Sequence, residues 1–168
     1  MKDFTAVYIP VGVPTFHLES ARDLFERSIK LLRTEAPAVV VPDDMLLSVD
    51  TMLEYISGQE PDLIIFQDLT FANAAYMSEV IRRFDCPVLL WTLREPVIDG
   101  TRLRLNSLTG AYSAANAMRS YGRTDYGYVF GMPEEEAVIK EIRACIQAAW
   151  IRKEMKGLIL ATVGEPPQ

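Results

Sequence analysis

The sequence predicts an α/β protein built on a doubly wound parallel sheet with helices on both faces. Apolar runs of strand length alternate with amphipathic segments of helical period along the chain. Several of these runs are apolar throughout, as expected for strands covered on both faces. The chain has 168 residues, which suits one compact domain with a sizeable core.

Five segments have the length and composition of β-strands. The first is rich in residues that favour strands, the second is uniformly apolar, and the fifth is the weakest. They are residues 4–10 (FTAVYIP), 38–42 (AVVVP), 62–66 (DLIIF), 87–91 (PVLLW) and 126–130 (YGYVF).

Helical segments follow each strand. Residues 19–34 form the first helix, Ser48 and Asn73 are expected to cap the second and third, and residues 107–121 form the fourth. The last helix is expected to open at Pro133, because proline and the three glutamates after it favour a helix N-terminus. Its predicted buried stripe is Val138, Ile142, Cys145, Ile146 and Ala149.

Five successive βα units favour the flavodoxin-like strand order 2-1-3-4-5 and a three-layer α/β/α domain over residues 1–155. Residues 156–163 (KGLILATV) form a sixth strand-like run before a Gly-Glu-Pro turn. We interpret residues 156–168 as the first strand of a following, truncated domain. The alternative is a sixth, edge strand of the same domain.

Composition excludes several function classes. The formal net charge of −6, the pI near 4.9 and the absence of a Lys/Arg block argue against nucleic-acid binding. The longest apolar runs are too short to span a bilayer, and the first residues do not form a signal peptide. Cys86 and Cys145 are interpreted as buried thiols in a reducing compartment. We therefore expect a cytoplasmic protein without a membrane partner.

The predicted ligand site lies at the carboxyl ends of the strands, between the first and third strands, where the strand order reverses. The first loop holds the only histidine, His17, for which a structural and a functional role remain open. This loop lacks the glycine-rich pattern that cradles a phosphate, so a nucleotide or flavin is a poor fit.

Polar side chains also follow the third strand. Gln67, Asp68 and Thr70 beside the ring of Phe71 suit a hydroxylated small molecule. An equally weighted alternative is that Asp68 and Thr70 only set up the turn into the next helix.

The fourth strand and its loop add further candidates. Trp91 ends the strand, Arg94 and Glu95 are expected to form an exposed ion pair, and Asn106 and Ser107 can cap the next helix. The chain shows neither the ligand spacing of a metal site nor a G-x-S-x-G nucleophile motif. We therefore predict no catalytic residue and no metal ligand within the chain.

Five segments together resemble the N-terminal domain of the L-fucose isomerase and L-arabinose isomerase family. Most distinctive are LWTLREP and LRLNSLTG, after the fourth strand. The five are VGVPTFHLES, FQDLTFANAA, VLLWTLREP, RLRLNSLTGAYSAANAM and LILATVGEPPQ.

The resemblance implies a metal-dependent aldose–ketose isomerase that acts on a monosaccharide. Mn²⁺ or a similar divalent ion would be bound outside this chain, in later domains. The N-terminal domain would cover the sugar site of a neighbouring subunit in a homo-oligomer. The residues that the resemblance places at that site are Thr15, Phe16, His17 and Glu19 in the first loop, with Trp91, Arg94 and Asn106 on the same edge.

The first loop departs from the arabinose enzymes, which carry Gln-His-Leu-Tyr-Gly where this chain has Phe-His-Leu-Glu-Ser. The sequence therefore does not specify the sugar. We expect this chain alone to be inactive as an isomerase. The alternative is a stand-alone flavodoxin-like module that binds a small molecule or has a regulatory role.

Overall fold

The computed structural model of the chain describes residues 3–159, 161 and 164. Strands and helices alternate along it, with two helices in succession after the first strand. The elements are β1 (Ala6–Val11), α1 (Leu18–Glu35), α2 (Val49–Ile56), β2 (Leu63–Asp68), α3 (Ala74–Arg83), β3 (Val88–Thr92), α4 (Ser107–Ser120), β4 (Gly127–Phe130) and α5 (Glu136–Met155).

The four strands form one parallel sheet in the order β1-β2-β3-β4. Their carboxyl ends finish in a single row across the sheet, in which Val11, Asp68, Thr92 and Phe130 are register partners. The loops that follow the four strands therefore emerge at one edge, the arrangement that α/β proteins use for ligands.

The predicted second strand is replaced by an irregular segment on the free side of β1. Val40 and Leu46 form isolated parallel bridges with Val7 and Val11. Residues between the bridges leave the ladder because Pro42 has no N–H to donate. The segment thus occupies the position expected for strand 2, and the residues that the structure describes form a regular sheet of four strands.

The sheet carries helices on both faces, so the three-layer architecture is confirmed. Alternate side chains of each strand point to opposite faces. One face packs against α1 and α5 around Tyr8, Ile65 and Trp91. The other packs against α2, α3 and α4 around Ile9 and Phe66.

The helix boundaries follow the predicted caps with one exception. Ser48 accepts from the Thr51 N–H at 3.1 Å, and Asn73 accepts from the Ala75 N–H at 3.0 Å. The last helix begins at Glu136 instead of Pro133. Its predicted stripe is buried except for Cys145, which is half-buried.

The predicted sixth strand is not formed where the structure describes it. Residues 156–159 and 161 lie in a turn and in irregular backbone after α5. The remaining residues of that prediction, 160, 162 and 163, lie outside the described residues. The division into domains at residue 155 stays a prediction.

Candidate functional site

Backbone hydrogen bonds fasten three of the edge loops together. The N–H of His17, after β1, donates to the Arg104 carbonyl at 3.0 Å. The N–H of Phe71, after β2, donates to the Leu105 carbonyl at 2.8 Å. The β3–α4 loop therefore crosses the edge and holds both neighbouring loops in place.

Glu95 organises the β3–α4 loop from within. Its carboxylate accepts the N–H groups of Arg104, Leu105 and Asn106 at 3.0, 3.1 and 2.5 Å. A carboxylate that takes several backbone amides replaces the regular hydrogen bonds that an irregular loop lacks. The acid thus shapes the segment that fastens the other loops.

The expected ion pair between Arg94 and Glu95 is wrong. Arg94 pairs with Glu135, at 2.9 Å from Nε to Oε1, and its guanidinium lies 4.7 Å from the centre of the Phe130 ring. The Glu95 carboxylate accepts hydrogen bonds from backbone N–H groups instead. Sequence neighbours after a strand diverge here because their side chains leave the backbone in different directions.

The first loop places its candidate residues at the surface of the edge. Thr15, His17 and Glu19 are exposed, while Phe16 is half-buried and packs against Phe71 with ring centres 6.3 Å apart. His17 also has a structural role, since its Nδ1 accepts from the Ser20 N–H at the start of α1. The histidine is both a helix cap and an exposed group at the edge.

Gln67 and Trp91 are core residues in this fold. Both are fully buried. Gln67 accepts from the Tyr8 hydroxyl and donates to Ser28 Oγ at 3.1 Å, and Trp91 Nε1 donates to the Gly131 carbonyl at 3.1 Å. Neither has exposed surface that could contact a sugar, so neither belongs to the candidate site. Their alternation in the strand turns them toward α1 and α5, away from the loops.

Asp68 is buried without a hydrogen-bond partner. Neither carboxylate oxygen has one among the residues that the structure describes, and burial raises the pKa of this carboxyl well above its usual range. A buried acid without a cation nearby is held in its neutral form. It lies beneath the edge, against α4.

Thr70 connects two of the edge loops, while its expected role in the turn into the next helix stays a prediction. Its Oγ1 accepts from the Val13 N–H at 2.9 Å and so links the loop after β2 to the loop after β1. Ser107 makes the matching link at the start of α4, where its Oγ donates to the Asp68 carbonyl and accepts from the Leu93 N–H.

Asn106 occupies the capping position of α4 in a left-handed conformation, with φ of 53°. Its side chain accepts from the Thr109 hydroxyl at 2.7 Å and caps no backbone N–H. The residue is half-buried, so part of its surface faces the edge.

Two cavities open at this edge, on either side of Leu103. The first, of about 340 Å³, contains Thr15, Phe16 and His17 from the first loop. The second, of about 330 Å³, is mostly apolar and contains Arg94 and Asn106 among its lining residues.

Sequence reasoning missed Arg102 and Arg104, which line the first cavity. The signal was present in the Arg-Leu-Arg-Leu alternation of residues 102–105, which is typical of an extended segment with one charged side and one apolar side. Leu105 is fully buried, while Arg102 is exposed.

Within residues 3–159, 161 and 164, no three His, Cys, Asp or Glu side chains are grouped so as to hold a metal ion. None of the described helices combines the length and the apolar character needed to cross a bilayer.

The chain is similar in sequence to proteins named sulfoquinovose isomerase. It is 54% identical over 168 residues to the protein of Clostridium sp. (strain MSTE9), which covers all of this chain and 38% of that relative. It is 33% identical to the protein of Priestia megaterium and 32% identical to that of Alkalicoccus urumqiensis, again over 38% and 37% of the relatives. The chain thus spans less than two fifths of these relatives.

No protein-family model matches the chain. Among solved structures, a chain described as a yeast Spc42 trimeric coiled coil fused to another structure superposes with a TM-score of 0.51. It covers 91% of this chain and 85% of its own length at 14% identity, which supports the fold alone.

The relatives are named as sugar isomerases, the general kind of enzyme that the sequence predicts. Their name differs from that of the fucose and arabinose enzymes that the sequence resembles, so that narrower resemblance stays a prediction. Along its whole length, the chain is similar to one part of proteins named sulfoquinovose isomerase.

Proposed function

We propose that this chain is the N-terminal part of an aldose–ketose isomerase that acts on sulfoquinovose. The observation that carries the proposal is the 54% identity over all 168 residues to a protein of that name. Sulfoquinovose is a hexose whose carbon 6 bears a sulfonate. Its isomerisation moves a hydrogen from carbon 2 to carbon 1 and the hydroxyl proton from the oxygen on carbon 2 to the oxygen on carbon 1, which yields the 2-ketose without any co-reactant.

We assign the proton transfer and the divalent metal, Mn²⁺ or a similar ion, to parts of the protein outside this chain. The support is chemical. The described residues provide no group of metal ligands, and the only histidine of the chain caps α1. The described residues therefore do not fit a metal centre, and we assign a binding role to this chain.

The binding surface is the loop edge of the sheet. Thr15, His17 and Glu19 expose hydroxyl, imidazole and carboxylate groups, and Phe16 provides a ring beside them. Polar groups next to an aromatic face suit a sugar, because hydroxyls are hydrogen-bonded and C–H faces pack on the ring. Arg94 and Asn106 extend this surface along the second cavity.

We further propose that this edge covers the sugar site of a neighbouring subunit in a homo-oligomer. The described residues of this edge include no group of metal ligands, so a second surface would supply the metal site. The hydrogen bonds that Arg104 and Leu105 accept from the other two loops hold the edge in one shape before it meets that surface.

Turnover by the complete protein tests this proposal. With added Mn²⁺, the complete protein should convert sulfoquinovose to its 2-ketose, detected by NMR, while residues 1–168 alone should show no turnover. His17→Ala should lower the rate without removing bound metal. Robust activity of residues 1–168 alone, or a complete protein inert toward sulfoquinovose, would contradict it.

A further inference from the structure

The first cavity has an unusual charge arrangement. It lies between the loop after β1 and the β3–α4 loop and has a volume of about 340 Å³. Arg102 and Arg104 line it together with His17, and Asp99 is its one acidic residue. A chain with a net charge of −6 thus concentrates two guanidinium groups at its ligand edge.

Among the described residues, neither guanidinium forms a salt bridge with an acid. In the part of the chain that the structure describes, no carboxylate oxygen lies within 4.0 Å of the Arg102 or Arg104 nitrogens, whereas Arg94 nearby is paired with Glu135. Ion pairs at a protein surface usually contribute little to stability. Two unpaired guanidinium groups in one cavity are typical of an anion site.

Both arginines are positioned by their surroundings. The guanidinium of Arg102 lies 4.8 Å from the centre of the Phe16 ring, a cation–π contact that limits its rotation. The backbone of Arg104 is held at both ends, since its N–H donates to Glu95 and its carbonyl accepts from His17. Binding an anion therefore requires little further ordering of the Arg102 side chain and of the Arg104 backbone.

The acid in the cavity is already engaged. Asp99 Oδ1 accepts the N–H of Thr101 at 3.0 Å and its hydroxyl at 2.6 Å. These hydrogen bonds, and to a smaller extent the charge of Arg104, lower the pKa of Asp99. Asp99 stays ionised, and the cavity keeps one net positive charge from its two arginines.

We infer that this cavity binds the sulfonate group of sulfoquinovose, with Arg102 and Arg104 donating hydrogen bonds to its oxygens. The inference rests on the proposed function. A sulfonate carries one negative charge over three oxygens, and the planar fork of arginine donates to two such oxygens at once. The sugar ring would then extend from carbon 6 toward Thr15 and His17, on the same rim.

The test compares variants of the complete protein with sulfoquinovose as substrate. Replacing both arginines, R102A/R104A, should lower kcat/KM by roughly 100-fold or more, mainly through KM, since a hydrogen bond to a charged group accounts for about 10-fold or more. R102K/R104K should recover part of the loss, because lysine keeps the charge without the fork. Metal content should not change.

Arg33→Ala is the matched control. Arg33 is exposed in the last turn of α1, about 22 Å along the helix axis from its first residue at ~1.5 Å per residue. Within the described ranges it too has no carboxylate oxygen within 4.0 Å. Arg33→Ala removes the same kind of charge far from the cavity and should leave kcat/KM within about twofold of the wild-type value.

The outcomes separate the two claims. If the wild-type protein isomerises sulfoquinovose but R102A/R104A keeps its kcat/KM within threefold, the inference is overturned and the proposed function stands. A wild-type protein inert toward sulfoquinovose overturns both. Glucose 6-phosphate is the comparison substrate. If R102A/R104A impairs the turnover or binding of glucose 6-phosphate but not that of sulfoquinovose, the cavity is a phosphate site and the sulfonate assignment is overturned.

Discussion

The carboxyl group of Asp68 lies directly against the backbone of Gly110. A Cβ built on Gly110 would stand 2.5 Å from Oδ1 and 2.7 Å from Cγ of Asp68. The glycine therefore lets α4 pack closely over the carboxyl end of β2. The same contact covers an acid that has no hydrogen-bond partner among the described residues.

Gly110→Ala should destabilise the fold by about 1–3 kcal/mol, because the new methyl group overlaps the Asp68 carboxyl. At an unobstructed helix position the same change stabilises by ~1 kcal/mol. Urea unfolding measures the difference. In an Asp68→Ala background the penalty should shrink, since the overlapping carboxyl atoms are gone. An equal penalty in both backgrounds would show that the clash lies elsewhere.

Asp68→Asn should change how stability depends on pH. Burial raises the folded-state pKa of Asp68, so the native state keeps a proton that the unfolded chain loses above about pH 4. Wild-type stability should therefore fall as pH rises from there to the folded pKa, by up to ~1.4 kcal/mol per pH unit. The variant should lack this decline, so its advantage over the wild type grows with pH.

Asp99→Asn is the control for this titration. Hydrogen bonds from Thr101 lower the pKa of the exposed Asp99 carboxyl. Its contribution is present above its unfolded pKa and is lost as pH falls, the opposite direction to Asp68. Between pH 4.5 and pH 8 the Asp99 carboxyl is ionised in both states, so the stability change caused by Asp99→Asn in unfolding curves should be the same at both pH values, whereas that of Asp68→Asn should differ. Parallel wild-type and Asp68→Asn stabilities at both pH values would contradict a buried neutral acid.

Glu95→Ala should loosen the loop edge more than the rest of the fold. The amides of Arg104, Leu105 and Asn106 lose their acceptor, at a cost of about 1–3 kcal/mol. The N–H groups of His17 and Phe71 should exchange faster with solvent, because their acceptors lie in that loop.

Glu134→Ala provides the comparison for Glu95→Ala by removing an acid that pairs with Arg27 at the surface. Such exposed pairs contribute roughly 0–1 kcal/mol. Hydrogen exchange at His17 and Phe71 should stay as in the wild type. If both variants leave this exchange unchanged, Glu95 does not hold the edge together.

Ile64→Asp should prevent folding, whereas Val40→Asp should be tolerated better. Ile64 is fully buried in β2 between two paired strands, where an unpaired charge costs several kcal/mol. Val40 is half-buried and joins the sheet only through an isolated bridge to Val7. Circular dichroism and solubility of the two variants decide. Equal tolerance of both would contradict the difference in burial.

The parallel α/β architecture was predictable because it depends on local patterns. Apolar runs such as LIIF of β2 and caps such as Ser48 and Asn73 act within a few neighbouring residues. The break of the second strand was harder to foresee. Its apolar residues favour a strand, and only the pairing with β1 shows that Pro42 interrupts the hydrogen-bonded ladder.

The predicted edge of the sheet is present, and some of the predicted site residues lie on it. The carboxyl edge of the sheet follows from topology, and the first-loop residues around His17 lie there. Gln67 and Trp91 each lie one residue before the end of a strand at this edge, yet their side chains turn into the core. The direction of a side chain near the end of a strand depends on the register of the strand. The sequence pattern does not determine that register.

The sequence by itself thus determined the layers of this protein and the edge at which the loops after its strands emerge. Only the tertiary structure decided that Glu95 holds the edge together and that Arg102 and Arg104 meet His17 at one cavity. The reason is physical: local periodicity governs secondary structure, whereas a site requires side chains from distant segments to converge, and packing alone brings them together.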